Sequence, residues 1–264
     1  MLFSLIKIRS TILLLSLSMF LSACVTETRL IGESPKAGDA ELRAENSAKR
    51  AFSYMELNQF ETAETILKEG LKESPRHSVL NYTYAILKLR LGLPKDAEKY
   101  FEAAIKKDPK NSLAAHDYGF YLCGQGRVND AIEQFELAIS NPLFQRRSMS
   151  YLRAGECIFN KDKQAAEEYF LSAYQADRTL SVALFRLSEL NFSLNNALKA
   201  RAYFQRYSSV QGESAASLFL GYKIETLAGA DKEANLFREK LLTKFPGSPE
   251  AIELRKDKKR PLIQ

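Results

Sequence analysis

From about residue 42 to residue 250, small and bulky apolar positions recur in a fixed phase. Ala63 and Ala97 stand 34 apart, as do Pro75 and Pro109; Ala131 follows Ala97 by 34, and Pro142 follows Pro109 by 33. A constant period of this length predicts stacked copies of one supersecondary unit. Each copy reads as two antiparallel helices, with a small residue on each where the pair must approach closely. The pairs are Ala51/Ala63, Ala85/Ala97, Gly119/Ala131, Gly155/Ala166, Ser188/Ala200 and Gly221/Ala234, at spacings of 12, 12, 12, 11, 12 and 13. Four residues beyond the second small position a bulky apolar residue is expected. Leu67, Phe101, Phe135, Phe170 and Phe204 supply it, and Arg238 breaks it in the last unit. Breakers mark the turns inside units: Asn58-Gln59, Gly92-Leu93-Pro94, Gly124-Gln125-Gly126, Asn195-Asn196 and Gly229. Prolines close units one, two, three and six.

Six units of this kind resemble the tetratricopeptide repeat (TPR). The resemblance implies an all-α fold, a right-handed α-superhelix of six TPR helical hairpins over residues 42–250. The chain departs from the pattern in having no tryptophan and in ending unit five at Tyr207-Ser208 without a proline.

Residues 1–23 read differently. Lys7 and Arg9 precede the apolar run Thr11–Leu21, which is too short for a bilayer core of about 30 Å and fits a signal peptide. Leu21-Ser22-Ala23-Cys24 has the lipobox pattern, in which the Cys24 thiol accepts a diacylglycerol before cleavage. Several acyl chains anchor a protein stably where one does not. Residue 25 is valine, not aspartate, so the sorting rule of the lipoproteins this resembles directs it to the periplasmic face of the outer membrane. Residues 24–41 read as the lipidated cysteine and a flexible tether, and residues 251–264 as a basic, solvated tail.

The whole chain has a net charge of +6. Removing Lys7 and Arg9 with the signal leaves 36 basic against 32 acidic groups, interleaved along the chain. That is no nucleic-acid footprint, and the one dense run, Arg255-Lys256-Asp257-Lys258-Lys259-Arg260, belongs to the tail.

In a TPR stack the first helices line a concave face. Reading off the inward positions gives a groove of Phe52, Tyr82, Ile86, Leu89, His116, Phe120, Leu152, Phe159, Phe185, Phe192 and Tyr222, with the acids Glu56, Glu156, Glu189 and Glu225 among them. So apolar a face predicts a protein ligand, an amphipathic helix or extended segment. A chaperone-type carboxylate clamp needs lysine and asparagine where this chain has Tyr82, Ile86, His116 and Phe120, which argues against that use.

With Cys24 committed to lipid, Cys123 and Cys157 remain, an even pair in an oxidising compartment. They fall on the first helices of units three and four, offset by two positions. Two residues rotate a helical side chain by about 200°, which turns the sulfurs of neighbouring parallel helices toward each other, so a Cys123–Cys157 disulfide is predicted. His77 and His116 lack metal-ligand spacing, and neither has a paired nucleophile or an orienting carboxylate. No cofactor, small-molecule substrate or enzymatic activity is expected, and the protein is read as a monomer.

The stretch Ala115-His116-Asp117-Tyr118-Gly119-Phe120-Tyr121-Leu122-Cys123-Gly124-Gln125-Gly126-Arg127, followed by Asp130-Ala131 and Phe135, is more specific than a generic repeat. It resembles the unit-three signature of the type IV pilus biogenesis/stability lipoproteins, the PilF/PilW family. Ala154-Gly155-Glu156-Cys157 and the lipobox fit the same pattern. The resemblance implies a pilotin that binds the type IV pilus secretin and promotes its outer-membrane localisation and multimerisation. His116-Asp117 stands where the family often has two asparagines, and Tyr121 is a second departure. The alternative is an accessory TPR lipoprotein of another outer-membrane machine, of the β-barrel assembly type.

Overall fold

The computed structural model describes residues 37–257. The signal segment, the lipobox with Cys24, most of the expected tether and the end of the basic tail lie outside the described residues. The chain divides after Ala40, and the repeats lie in the unit Glu41–Gln264.

Among the described residues there are thirteen helices and no strand. The paired helices are α1 (Ala37–Glu56) with α2 (Phe60–Glu73), α3 (Ser78–Arg90) with α4 (Pro94–Lys107), α5 (Ser112–Gly124) with α6 (Val128–Ile139), α7 (Arg147–Ile158) with α8 (Lys163–Ala176), α9 (Ser181–Ser193) with α10 (Ala197–Ser208), and α11 (Ala215–Leu227) with α12 (Asp231–Lys244). Helix α13 (Pro249–Asp257) follows the last pair.

Local chemistry sets the helix ends. Asn58, Gly92, Gly126, Asn195 and Gly229 take positive φ in the turns inside five units, the left-handed conformation that glycine and asparagine adopt most readily. In unit four Asp162 instead accepts the Ala165 N–H at 3.0 Å, capping α8. Asn111 caps α5 through the Ala114 N–H, and Ser214 and Ser217 form a reciprocal capping box at the start of α11.

The small positions do what the period requires. Ala51, Ala63, Ala85, Ala97, Ala131 and Ala166 are fully buried. A Cβ added at Gly119 would lie 3.0 Å from the Phe135 ring, and one at Gly155 would lie 2.6 Å from the Phe170 ring. In unit six, where Arg238 breaks the pattern, Phe237 fills the place opposite Gly221, 2.8 Å from a notional Cβ. Ser188 holds its small position by donating to the Ala200 carbonyl at 3.1 Å.

Two boundaries differ from the sequence expectation. Residues 37–41, read as tether, begin α1, because the last breaker before it is Pro35. Residues 251–257, read as tail, belong to α13. There Ala251 and Leu254 are buried against Leu218, Phe219 and Leu241, covering the end of the stack that unit six alone would leave bare.

A polar ladder also runs between units. Glu64 on α2 accepts from the Tyr84 hydroxyl and the Lys88 ammonium of α3, both at 2.9 Å. These two contacts hold its carboxyl at about 2. Glu98, 34 residues on, accepts from the Tyr118 hydroxyl and from Arg127. Glu167 repeats the arrangement with Asn191 and Lys199, and unit five inverts its sign with Arg201 on Glu225.

Candidate functional site

The first helices of the hairpins present two open grooves. The N-terminal one, about 570 Å³, is floored by Phe52, Val79, Tyr82, Ile86 and Leu113 from α1, α3 and α5, with Arg90, Asp117 and Arg146 at its margin. The C-terminal one, about 580 Å³, sets Phe159, Phe192 and Leu220 beside Glu156, Arg186, Glu189 and Lys223 from α7, α9 and α11. Phe120, on α5, is 56% exposed.

Three expected groove residues are interior. Tyr82, although it borders the first groove, is buried, and its hydroxyl donates to Asp117 Oδ2 at 2.6 Å; burial and that carboxylate push its ionisation upward. His116 is 6% exposed, with Nδ1 2.8 Å from Ser150 Oγ, and burial lowers its pKa. Leu152 is buried in the α7–α9 core. Phe185 turns to Tyr207, ring centroids 5.1 Å apart, and lines a separate small cleft. Tyr222 stacks on Phe219, and Leu89 packs against the unit-two core. The reason is geometric: neighbouring hairpins cover both flanks of each first helix, so only a narrow strip faces outward.

The face is also less apolar than expected. Arg90 sits over Phe52 at 5.8 Å, Arg153 over Phe120 at 5.1 Å, Lys163 over Phe159 at 4.9 Å and Lys223 over Phe192 at 5.3 Å. Each ring thus carries a cation, a contact worth about 0.5–1 kcal/mol at exposed sites. The acids are engaged: Glu56 pairs with Arg90 at 2.6 Å, and Glu156 with both Arg153 and Arg186 at 2.8 and 2.9 Å. Glu189 pairs with Arg186, while Glu225 is buried beneath Arg201 of α10 and does not belong to the groove. The basic partners had a sequence signal that apolar counting passes over, since Arg153-x-x-Glu156 recurs as Arg186-x-x-Glu189 at a spacing of 33.

Cys123 on α5 and Cys157 on α7 form a disulfide with Cα atoms 5.7 Å apart, tying unit three to unit four between the grooves. Among the described residues no group of three or more His, Cys, Asp and Glu is placed to hold a metal ion, and no helix is long and apolar enough to cross a membrane.

Two tetratricopeptide-repeat family models match, at residues 54–116 and 100–133. Among curated protein sequences none matches the chain. Among solved structures, PilF of Pseudomonas aeruginosa superposes with a TM-score of 0.70 at 21% identity, covering 83% of this chain and 99% of that one. PilW, described as a widely conserved type IV pilus biogenesis factor, gives 0.68 at 23%, covering 80% and 97%. YrrB, a TPR protein with an unusual peptide-binding site, gives 0.61 at 14%, covering 72% and 97%. The protein is therefore an all-α tetratricopeptide-repeat superhelix, the fold it shares with PilF and with the pilus biogenesis factor PilW.

Proposed function

We propose that this protein is a non-enzymatic, lipid-anchored binding protein of the outer membrane that supports type IV pilus biogenesis by holding secretin subunits and promoting their localisation and multimerisation. The observation that carries the reading is the first-helix face: two open grooves with the exposed ring of Phe120 on the same set of helices. The signature at residues 115–127, the lipobox at Cys24 and the fold shared with PilW support it.

An amphipathic segment would seat apolar side chains on the Phe52, Phe159 and Phe192 rings, while the flanking arginines and lysines orient its acidic groups. Aromatic anchors of this kind are worth about 2 kcal/mol or more each, about 30-fold in affinity.

The test is capture of secretin from detergent-solubilised outer membrane by the wild type and by Phe120→Glu and Phe192→Glu. Each substitution should cut capture by about 30-fold while the helical circular dichroism is unchanged. Unchanged capture by both variants overturns the groove reading. A deletion strain separates the machines: lost twitching and lost secretin multimers with normal porins fit the pilus, and defective porins fit β-barrel assembly.

A further inference from the structure

Antiparallel pairing places the loops between successive units along one edge of the stack and the turns inside units along the other. The two edges differ in charge. On the turn edge Arg90 pairs with Glu56, Lys99 with Asp96, and Arg127 with Glu98 and Asp130, while Lys95, Lys161, Lys163 and Lys232 have no carboxylate partner among the described residues but sit among the acids Asp96, Asp130, Asp231 and Glu233 that open the second helices. On the loop edge most acids are already engaged, and Asp108 accepts only the Lys110 backbone N–H. Glu73 pairs with Arg43, Asp177 accepts from the Thr179 N–H and hydroxyl, and Glu213 is held by Lys240 and Lys244. Arg76, Lys106, Lys107, Lys110, Arg178 and Arg206 are all exposed there, with no carboxylate in ion-pair range among the described residues.

Cations at the ends of the second helices α4 and α10 are expected from the helix dipole. That rule equally favours acids at the starts of the first helices, yet α3, α5, α7, α9 and α11 have none in their first turns. The edge is therefore more basic than helix stability asks for. Two apolar side chains protrude from it, Leu143 at 87% exposure between Pro142 and Arg146, and Val210 at 68%. Glu41 and Arg43 of α1 also lie here, Glu41 3.1 Å from His77 and Arg43 3.6 Å from Glu73.

We propose that this loop edge docks on an anionic phospholipid surface, its lysines and arginines on lipid phosphates and Leu143 dipping into the headgroup–acyl boundary. The orientation rests on the lipid-anchor reading: only 12 residues lie between Cys24 and Ala37, the start of α1. They reach at most about 45 Å. An apolar tip among uncompensated cations suits a bilayer surface, where basic groups meet phosphates just outside acyl chains. An acidic protein would leave Leu143 without a use.

Docking in this orientation turns the loop edge toward the lipid and the other edge away. The chain has no tryptophan, so single reporters are clean. Full-length protein carrying Leu143→Trp, or Leu93→Trp on the turn edge, is reconstituted with vesicles of phosphatidylethanolamine and phosphatidylglycerol with brominated acyl chains, or of brominated phosphatidylcholine alone. The residue 143 reporter should blue-shift and be quenched on the anionic vesicles, reversibly with salt, and stay wet on the neutral ones; the residue 93 reporter should stay wet on both. A basic residue near the surface contributes about fivefold, so Lys106→Gln/Lys107→Gln/Lys110→Gln should lower the docked-to-free ratio about 100-fold. Equal quenching at both positions, an unquenched residue 143 reporter on anionic vesicles, or indifference to the triple substitution overturns the proposal. The mass of the processed protein reports lipidation at Cys24 separately, so loss of the anchor reading and loss of the docking edge are distinguishable.

Discussion

Replacing Gly155 with alanine tests whether close helix approach sets the repeat geometry. The new methyl would lie 2.6 Å from Cδ1 and Cε1 of Phe170 and 3.2 Å from its Cζ. Carbon atoms pack best at about 3.5–4.0 Å, so the ring must retreat by about 1 Å. Phe170 is fully buried in the unit-four core, with the Phe159 ring centroid 6.4 Å away, so its retreat must displace packed neighbours. Overpacking of this kind costs about 1–3 kcal/mol, and the contact is short enough to fall in the upper half. Alanine returns about 1 kcal/mol of helix propensity. The net expectation is destabilisation by about 1–2 kcal/mol, a fall of roughly 5 °C in the thermal midpoint for a domain of this size. Gly124→Ala is the control: the same exchange at the end of α5, with nothing within 4 Å of the added methyl, should be neutral or slightly stabilising. Urea denaturation followed by circular dichroism measures both. Phe170→Leu in the Gly155→Ala background should recover stability, giving a coupling of at least about 1 kcal/mol. If Gly155→Ala behaves like Gly124→Ala, or the double mutant is additive, close packing is not what fixes the register.

Reduction of the Cys123–Cys157 disulfide, or Cys123→Ala/Cys157→Ala, reopens a loop spanning 34 residues and should lower stability by about 3–4 kcal/mol on the chain-entropy account; a urea midpoint indifferent to reductant would contradict this. Glu64 ionises at about 2 when folded, against an ordinary 4.5, so its contribution is complete above 4.5 and is lost as pH falls through about 2. Because the group is partly solvated, Glu64→Gln should flatten the acid limb by only about 1 kcal/mol over that window; identical acid limbs would show that the ladder is not a stabilising contact. Leu254→Ala, on α13, should cost about 2–5 kcal/mol and loosen unit six before the rest. Amide exchange that protects α11 and α12 equally in both proteins would count against the cap.

The scaffold is legible from the sequence because its physics is periodic. Small residues opposite Phe135 and Phe170, and asparagine or glycine where φ is positive, leave marks at fixed spacing. The stack's ends are harder to read, since a capping element is not a repeat. In α13 the two buried residues, Ala251 and Leu254, are hidden among charges that look like a tail. The groove is half legible. Helical position tells which way a side chain points from its own axis, but not whether the next hairpin covers it, which is why Phe120 and His116, four residues apart on α5, are one exposed and one buried. The cations over the rings come from the same or an adjacent unit, and only a comparison between units shows them.

A stack of hairpins is mechanically a spring, in which each coil touches only the next and unwinding can start at either end. The bond between Cys123 and Cys157 is a covalent rivet set near the midpoint of that spring, at the joint between units three and four. Fraying from either end stops at the rivet. The two troughs on either side of it cannot swing apart at this joint, so whatever spans both is measured against a ruler of constant length.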